Sequence, residues 1–169
     1  MAEALRAAGA RFGVAAAVMR EALWVLRGGD GDGEDAGERD PVDLEPLIAA
    51  GLLQVLDLET AEELATFVDF AALVDDGEAA TIALAIHRGG AVATDDRKAI
   101  RELRAHAPSI EIWTTARLLH AWAEAVGASP HHIAVVLRAV RLRARFEPSR
   151  QDPLVDWWTS HQRGGDSEA

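Results

Sequence analysis

Short apolar segments alternate with longer helical patterns along most of this chain, and this alternation restricts the fold more than any other feature. Strand candidates lie at residues 11–15, 52–58, 91–94 and 110–113, and each leads into a segment with helical character. Such alternation is typical of parallel strands covered by helices. The sequence therefore predicts an α/β fold, with a short parallel sheet of four strands and helices on both of its faces.

Local signals place several helix boundaries. Thr60 and Glu63 have the spacing of a capping box and predict a helix start. A further helix is predicted from about Asp76 to Arg88, where two glycines follow. Residues 16–27 carry apolar side chains near helical spacing, which indicates one amphipathic helix.

Length and composition favour one globular domain. The chain has 169 residues, no cysteine and no apolar run long enough to span a membrane. The lack of cysteine excludes disulfides and thiolate metal sites. We expect a cytoplasmic protein. We assign residues 1–146 to a single domain and residues 147–169 to a C-terminal extension or tail. Residues 28–43, with seven acids and one arginine, are predicted to form a flexible surface loop.

The net charge of −11 argues against broad, nonspecific coating of nucleic acids. Any nucleic-acid site must therefore be a local patch. Arg138, Arg141 and Arg145 form one such basic cluster, and helical spacing places them on one face. This face either contacts RNA phosphates or an acidic partner, or is simply a solvated helix surface.

Two acid-rich turns flank the helix and strand between residues 76 and 94. Taken singly, Asp76 and Asp96 are explained as helix caps. Glu78 is explained as a negative charge that interacts favourably with the helix dipole. However, Asp95 and Asp96 directly follow a strand, so they lie at its carboxyl end, where sites collect in α/β sheets. The preceding helix runs back along the sheet, so its start at Glu78 faces the same rim. The two turns are therefore predicted to form one shared site.

The segments that carry these acids resemble a known family. GEAATIALA, followed by AVATDDRKAIRE, resembles the second half of a PIN domain, the fold of metal-dependent ribonucleases. VMREALWVLR resembles the family's earlier helix with a glutamate, and IEIWTTARLL its next strand and helix. The similarity covers roughly residues 1–126. It implies a three-layer α/β/α sandwich around a short parallel sheet.

The resemblance also implies a site. Glu21, Glu78 and Asp96 would be metal ligands. Asp95 would either replace Asp96 as a ligand or contact the ligands without binding the metal itself. Thr94 would orient a metal-bound water or the substrate phosphate. Carboxylates suit Mg²⁺ or Mn²⁺, because both cations prefer hard oxygen ligands. The implied reaction is hydrolysis of RNA phosphodiesters by water that the metal activates.

One part of the family pattern is missing. PIN domains begin with an apolar strand that ends in an aspartate, whereas this chain begins with a predicted helix at residues 1–9. Three explanations remain open at this point. The native protein has an upstream strand, or the protein is a degenerate member with weakened metal binding, or residues 154–157 with Asp156 fill the position.

Two functions follow from these observations. The first is a PIN-like ribonuclease dependent on Mg²⁺ or Mn²⁺, including the toxin of a toxin–antitoxin pair with an antitoxin protein as partner. The second is a catalytically impaired protein that keeps the PIN fold and acts by binding. The resemblance implies a homodimer in either case.

Overall fold

The computed structural model describes residues 11–21, 23–27 and 38–165, with the side chains of 163–165 left out. The predicted helix at residues 1–9 lies outside this part of the chain. The strands are β1 (Phe12–Ala15), β2 (Trp24–Leu26), β3 (Arg39–Pro41), β4 (Leu53–Leu56), β5 (Ala91–Ala93) and β6 (Glu111–Trp113). The helices are α1 (Ala16–Met19), α2 (Glu45–Ala49), α3 (Ala61–Ala71), α4 (Asp76–Arg88), α5 (Arg97–His106), α6 (Thr115–Ala125), α7 (Pro130–Ala144) and α8 (Val155–Gly165).

The strands pair two by two. β1 runs parallel to β4, with Val14 opposite Val55, and β5 runs parallel to β6, with Val92 opposite Ile112. β2 and β3 form an antiparallel pair. The α/β class and the parallel pairing are as predicted, and all four predicted strands are present. Within the described residues, however, the strands form three two-stranded sheets instead of one continuous sheet.

The contacts divide the chain into two compact units. The central unit contains, among the described residues, 11–21 and 44–115. The terminal unit contains, among the described residues, 23–27, 38–43 and 116–165. Both acid-rich turns belong to the central unit, whereas the arginine cluster belongs to the terminal unit.

Helix α4 is the centre of the central unit. Its inner side is made of small and apolar residues, of which Ala79, Ile82 and Ala83 have no exposed surface. Ile82 shares an apolar cluster with Val92 of β5, and other α4 residues pack in a second cluster with Ala15 of β1. Because α4 contacts both β1 and β5, its first turn lies beside the segments that follow these strands.

Local hydrogen bonds explain why the boundaries of α3 and α4 agree with prediction. The capping box of α3 is confirmed, because Thr60 accepts a hydrogen bond from the Glu63 N–H and the Glu63 side chain accepts one from the Thr60 N–H. Helix α4 spans the predicted residues and ends at Gly89, whose φ of 71° favours glycine. Its N-cap is Asp75, so the prediction of Asp76 as the cap was wrong by one residue.

Glu63 has a second role that the capping pattern does not reveal. Its buried carboxylate also accepts a hydrogen bond from the Arg88 guanidinium at 2.6 Å, and one from the Glu59 N–H at 2.6 Å. The Arg88 hydrogen bond and the backbone donors lower the pKa of Glu63 to about 2. The end of α4 is thereby held against the start of α3.

The prediction of one helix over residues 16–27 was wrong. Helix α1 ends at Met19, and residues 24–26 form β2. β2 pairs with β3, where Arg39 stacks on the Trp24 ring at 3.5 Å and Asp40 accepts a hydrogen bond from Arg27 at 3.0 Å. These pairings outweigh helical spacing. They also place residues 39–41 in a strand, although the sequence assigned them to the flexible loop of residues 28–43, of which 28–37 lie outside the described residues.

The predicted C-terminal extension or tail contains helix α8. α8 packs against α7, and its Trp158 is 1% exposed and lies in an apolar cluster with Leu137 and Phe146. The explanation that residues 154–157 supply the missing strand was wrong, because Asp156 lies in the first turn of this helix. In the part of the chain that the structure describes, no helix is long and apolar enough to span a membrane.

Candidate metal site at the start of helix α4

The first turn of α4 presents an acidic pair. Asp75 accepts a hydrogen bond from the backbone N–H of Glu78 at 3.0 Å, as an N-cap does. This bond fixes the backbone at Glu78, and the Glu78 carboxylate lies half-buried beside the end of β5. A half-buried carboxylate is thus held at a helix N-terminus, where the helix dipole favours negative charge.

The turn after β5 supplies Thr94 and Asp96. The Thr94 hydroxyl donates a hydrogen bond to the Glu78 carboxylate and accepts one from the Asp96 N–H at 3.1 Å. Asp96 caps α5 by accepting a hydrogen bond from the Ala99 N–H at 2.8 Å, as predicted. Thr94 therefore connects the two acid-rich turns directly.

Glu21 reaches the same place from a third segment. It follows α1 in a turn closed by the hydrogen bond from its N–H to the Val18 carbonyl at 3.0 Å. Its carboxylate lies directly over Gly77, in the space that a Cβ at that position would occupy. Because Gly77 precedes Glu78, the carboxylate of Glu21 is brought close to the acidic turn of α4.

Glu21, Asp75, Glu78 and Thr94 line one pocket of about 250 Å³, and Asp96 acts on Glu78 from outside this lining. Its lining combines acidic and apolar side chains with the hydroxyls of two threonines. The lining residues include Glu21, Asp75, Glu78, Thr94, Ile82 and Val92.

The surroundings of Glu78 are unfavourable for its charge. Burial, followed by repulsion from Asp75, Asp96 and Glu21, raises its pKa from 4.5 to about 7, although the Thr94 hydrogen bond opposes the shift. Every charged residue that contributes to this shift is acidic. The pocket therefore favours either a proton on Glu78 or a cation beside it.

Asp95 faces a different partner. Its carboxylate accepts hydrogen bonds from the Thr115 N–H at 3.1 Å and from the Thr115 hydroxyl, at the start of α6. Neither Asp95 nor Asp96 belongs to the pocket lining, but only Asp96 contributes to the repulsion that Glu78 experiences. Asp75 does line the pocket, although it was not among the predicted site residues. The acid three positions before Glu78 has capping-box spacing, and this signal could have identified Asp75.

The carboxylates are not drawn together into a finished metal site. As they are placed in the described residues, no group of three or more acidic or histidine side chains is close enough to hold a metal ion. The donor set itself suits a hard cation, because it consists of carboxylates with one hydroxyl.

The predicted arginine face is only partly present. Helix α7 ends at Ala144, and Arg145 lies beyond it in a left-handed conformation with φ of 50°. The shared helical face is therefore reduced to Arg138 and Arg141, and Arg141 lies 3.5 Å from the Glu147 carboxylate. Contact of these arginines with RNA or a protein partner stays a prediction.

The raised pKa of Glu78 has a consequence for stability. The folded-state pKa of Glu78 is about 7, above the ordinary 4.5, so folding favours the neutral carboxyl. The contribution of Glu78 to the free energy of unfolding is therefore most favourable below pH 4.5 and is lost as the pH rises through 7. With divalent cations removed, we expect Glu78→Gln to raise the free energy of unfolding at pH 8 by on the order of 1 kcal/mol, since partial exposure screens the repulsion. At pH 4.5 the change should be near zero. Urea denaturation at both pH values measures the difference, and equal effects at the two would contradict this explanation.

Comparison with known proteins identifies no relative of this chain. No protein-family model matches it, and neither do the curated proteins or the solved structures. The function is therefore inferred from the chemistry of the pocket and from the sequence pattern of its acids.

Proposed function

We propose that this chain is a ribonuclease that depends on Mg²⁺ or Mn²⁺ and resembles the PIN domains. In this proposal Glu21, Glu78 and Asp96 hold the cation, and Asp75 adds negative charge at the same pocket. The observation that carries the proposal is the position of Glu78: a half-buried carboxylate surrounded by three other acids, with its pKa raised to about 7.

A cation offsets an arrangement that is otherwise unfavourable. Like charges that share a small, partly apolar pocket repel one another, and burial increases the energy of each charge. A divalent cation removes both penalties if it binds between them. Mg²⁺ usually keeps several water ligands, so it needs few carboxylates from the protein.

The chain's own residues would organise this chemistry. Thr94 holds the Glu78 carboxylate by a hydrogen bond, and Asp75 fixes the backbone at Glu78. Glu21 and Asp96 are exposed at the rim, which lets a polymer approach. When bound, the cation would stabilise the charge that develops on the phosphodiester under attack by water.

The order of binding follows from charge. Glu78 and the three acids near it repel the phosphates of RNA, so we propose that the cation binds before the RNA. Protonation of Glu78 would compete with the cation, because a metal ligand must be deprotonated. Cation affinity should therefore fall as the pH drops below about 7.

The proposed partners include a second copy of the chain and an antitoxin protein. Helix α3 supports a protein partner, because Leu64 and Val68 are 50% and 63% exposed and lie four residues apart on one face. Which of the two partners uses this face stays part of the proposal.

The test is cleavage of single-stranded RNA by the purified chain. With Mn²⁺ or Mg²⁺ we expect cleavage, with complete loss in EDTA and recovery when excess Mn²⁺ is added back. Cleavage that continues in EDTA would contradict the proposal. If Mn²⁺ binds but RNA is not cut, the result would favour the impaired, binding-only alternative.

A further inference from the structure

Gly77 occupies an unusual position for a glycine. It lies in the first turn of α4, is buried, and does not have a positive φ, so its backbone conformation is open to any residue. Glycine in a helix is normally unfavourable compared with alanine. A reason for glycine must therefore be sought in its surroundings.

The surroundings identify that reason. A Cβ on Gly77 would overlap with Oε1 of Glu21 and would lie 3.1 Å from Cγ2 of Val18. Glu21 is the nearer of the two neighbours, and its carboxylate fills the space that any other residue would need for its side chain. The contact joins two segments that are more than fifty residues apart in the sequence.

The missing side chain has an effect on the site. With no Cβ in the way, the Glu21 carboxylate lies against the first turn of α4, one residue from Glu78 and on the lining of the same pocket. A methyl group at residue 77 would push the carboxylate outward, towards solvent. The Glu21 side chain is flexible at its end, so the fold would tolerate this movement. The pocket, however, would lose the carboxylate of Glu21.

We propose that Gly77 is a positioning residue, which admits the carboxylate of Glu21 to the pocket that holds Glu78. The effect on cation binding rests on the proposed function, whereas the effect on the position of Glu21 does not. Gly77 itself touches neither cation nor substrate in this role.

The experiment compares Gly77, in the first turn of α4, with Gly90, which lies just beyond the end of the same helix. Gly90 also lacks a positive φ, and a Cβ there would meet nothing within 4 Å, so Gly90→Ala is the matched control. We expect Gly77→Ala to weaken Mn²⁺ binding at least tenfold by isothermal titration calorimetry, and Gly90→Ala to change it less than twofold. In a Glu21→Gln background, Gly77→Ala should cause no further loss.

A second readout needs no metal. The carboxyl ¹³C resonance of Glu21, measured by NMR in EDTA, should shift in Gly77→Ala and stay in place in Gly90→Ala. If this resonance does not move with Gly77→Ala, the inference is overturned whatever the Mn²⁺ result. If it moves but the wild-type chain does not bind Mn²⁺, the proposed function fails and the positioning role of Gly77 stands.

Folding is controlled by a double variant. If Gly77→Ala unfolds at a lower temperature than wild type, the overlap with Glu21 is the expected cause, and Gly77→Ala/Glu21→Ala should recover the wild-type unfolding temperature. A double variant that stays as unstable as Gly77→Ala would place the conflict at Val18 or in the backbone and would overturn the inference.

Discussion

Glu78→Gln is expected to reduce Mn²⁺-dependent cleavage of RNA at least about 100-fold, because it removes the most buried charge among the proposed ligands. Glutamine has nearly the same shape and still accepts a hydrogen bond from Thr94, so the pocket keeps its form. Only the negative charge and one metal-binding oxygen are lost. The loss of activity can then be attributed to cation binding, with the fold unchanged.

The matched control is Glu62→Gln, the same chemical change at an exposed acid in the first turn of α3. It should leave the cleavage rate within twofold of wild type. Rates are compared at saturating Mn²⁺ with one labelled RNA. If Glu78→Gln retains more than about one fifth of the wild-type rate, Glu78 is not a ligand that the reaction needs.

Trp158→Ala is expected to lower the free energy of unfolding by about 3 to 4 kcal/mol, near the lower end of the usual range for a buried tryptophan. Trp158 is 1% exposed and packs edge-to-face on Phe146, with ring centroids 5.5 Å apart. Its indole N–H is buried without a hydrogen-bond partner in the described residues, which offsets part of the gain from burial. The large loss would establish α8 as part of the terminal unit's core.

Trp24→Ala is the control, because Trp24 is 43% exposed and Arg39 stacks on its ring. We expect a loss of about 1 kcal/mol for this variant. Both are measured by urea denaturation followed by circular dichroism. Equal losses would mean that α8 does not pack as described, and that the sequence interpretation of residues 147–169 as a tail was correct.

The parts of the fold that could be predicted from the sequence depend on neighbouring residues. Helix α4 illustrates this: an acidic residue caps its start, one position before the predicted cap, and Gly89 ends it as predicted. These hydrogen bonds and backbone preferences act over a few residues, so they are visible in the sequence. The short strands were predicted for the same reason, since a short apolar run bounded by turn residues indicates a strand.

The errors occurred where distant residues decide the structure. Residues 24–26 have apolar side chains that suit a helix or a strand, and their pairing with residues 39–41 across the acidic tract selects the strand. Helix α8 likewise owes its burial to packing on α7. Glu63 was predicted only as a capping residue, because its ion pair with Arg88 joins positions far apart in the sequence.

The site shows the same limit. The sequence left open whether Asp95 or Asp96 belongs with Glu78, and the hydrogen bonds of Asp95 to Thr115, twenty residues further on, distinguish them. Glu21 was placed in the site by resemblance, while its proximity to Gly77 is visible only in three dimensions. Neither contact can be predicted from the spacing of residues along the chain.

The most direct test of the proposed site is to locate Mn²⁺ by anomalous diffraction in crystals of this chain grown or soaked with the ion near pH 8. We expect one anomalous peak in the pocket at the start of α4, about 2 to 2.5 Å from carboxylate oxygens of Glu21, Glu78 and Asp96. Glu78→Gln crystals treated in the same way should lack this peak. A pocket without Mn²⁺, or Mn²⁺ bound only to acids elsewhere on the surface, would contradict the assignment of these residues to a metal site.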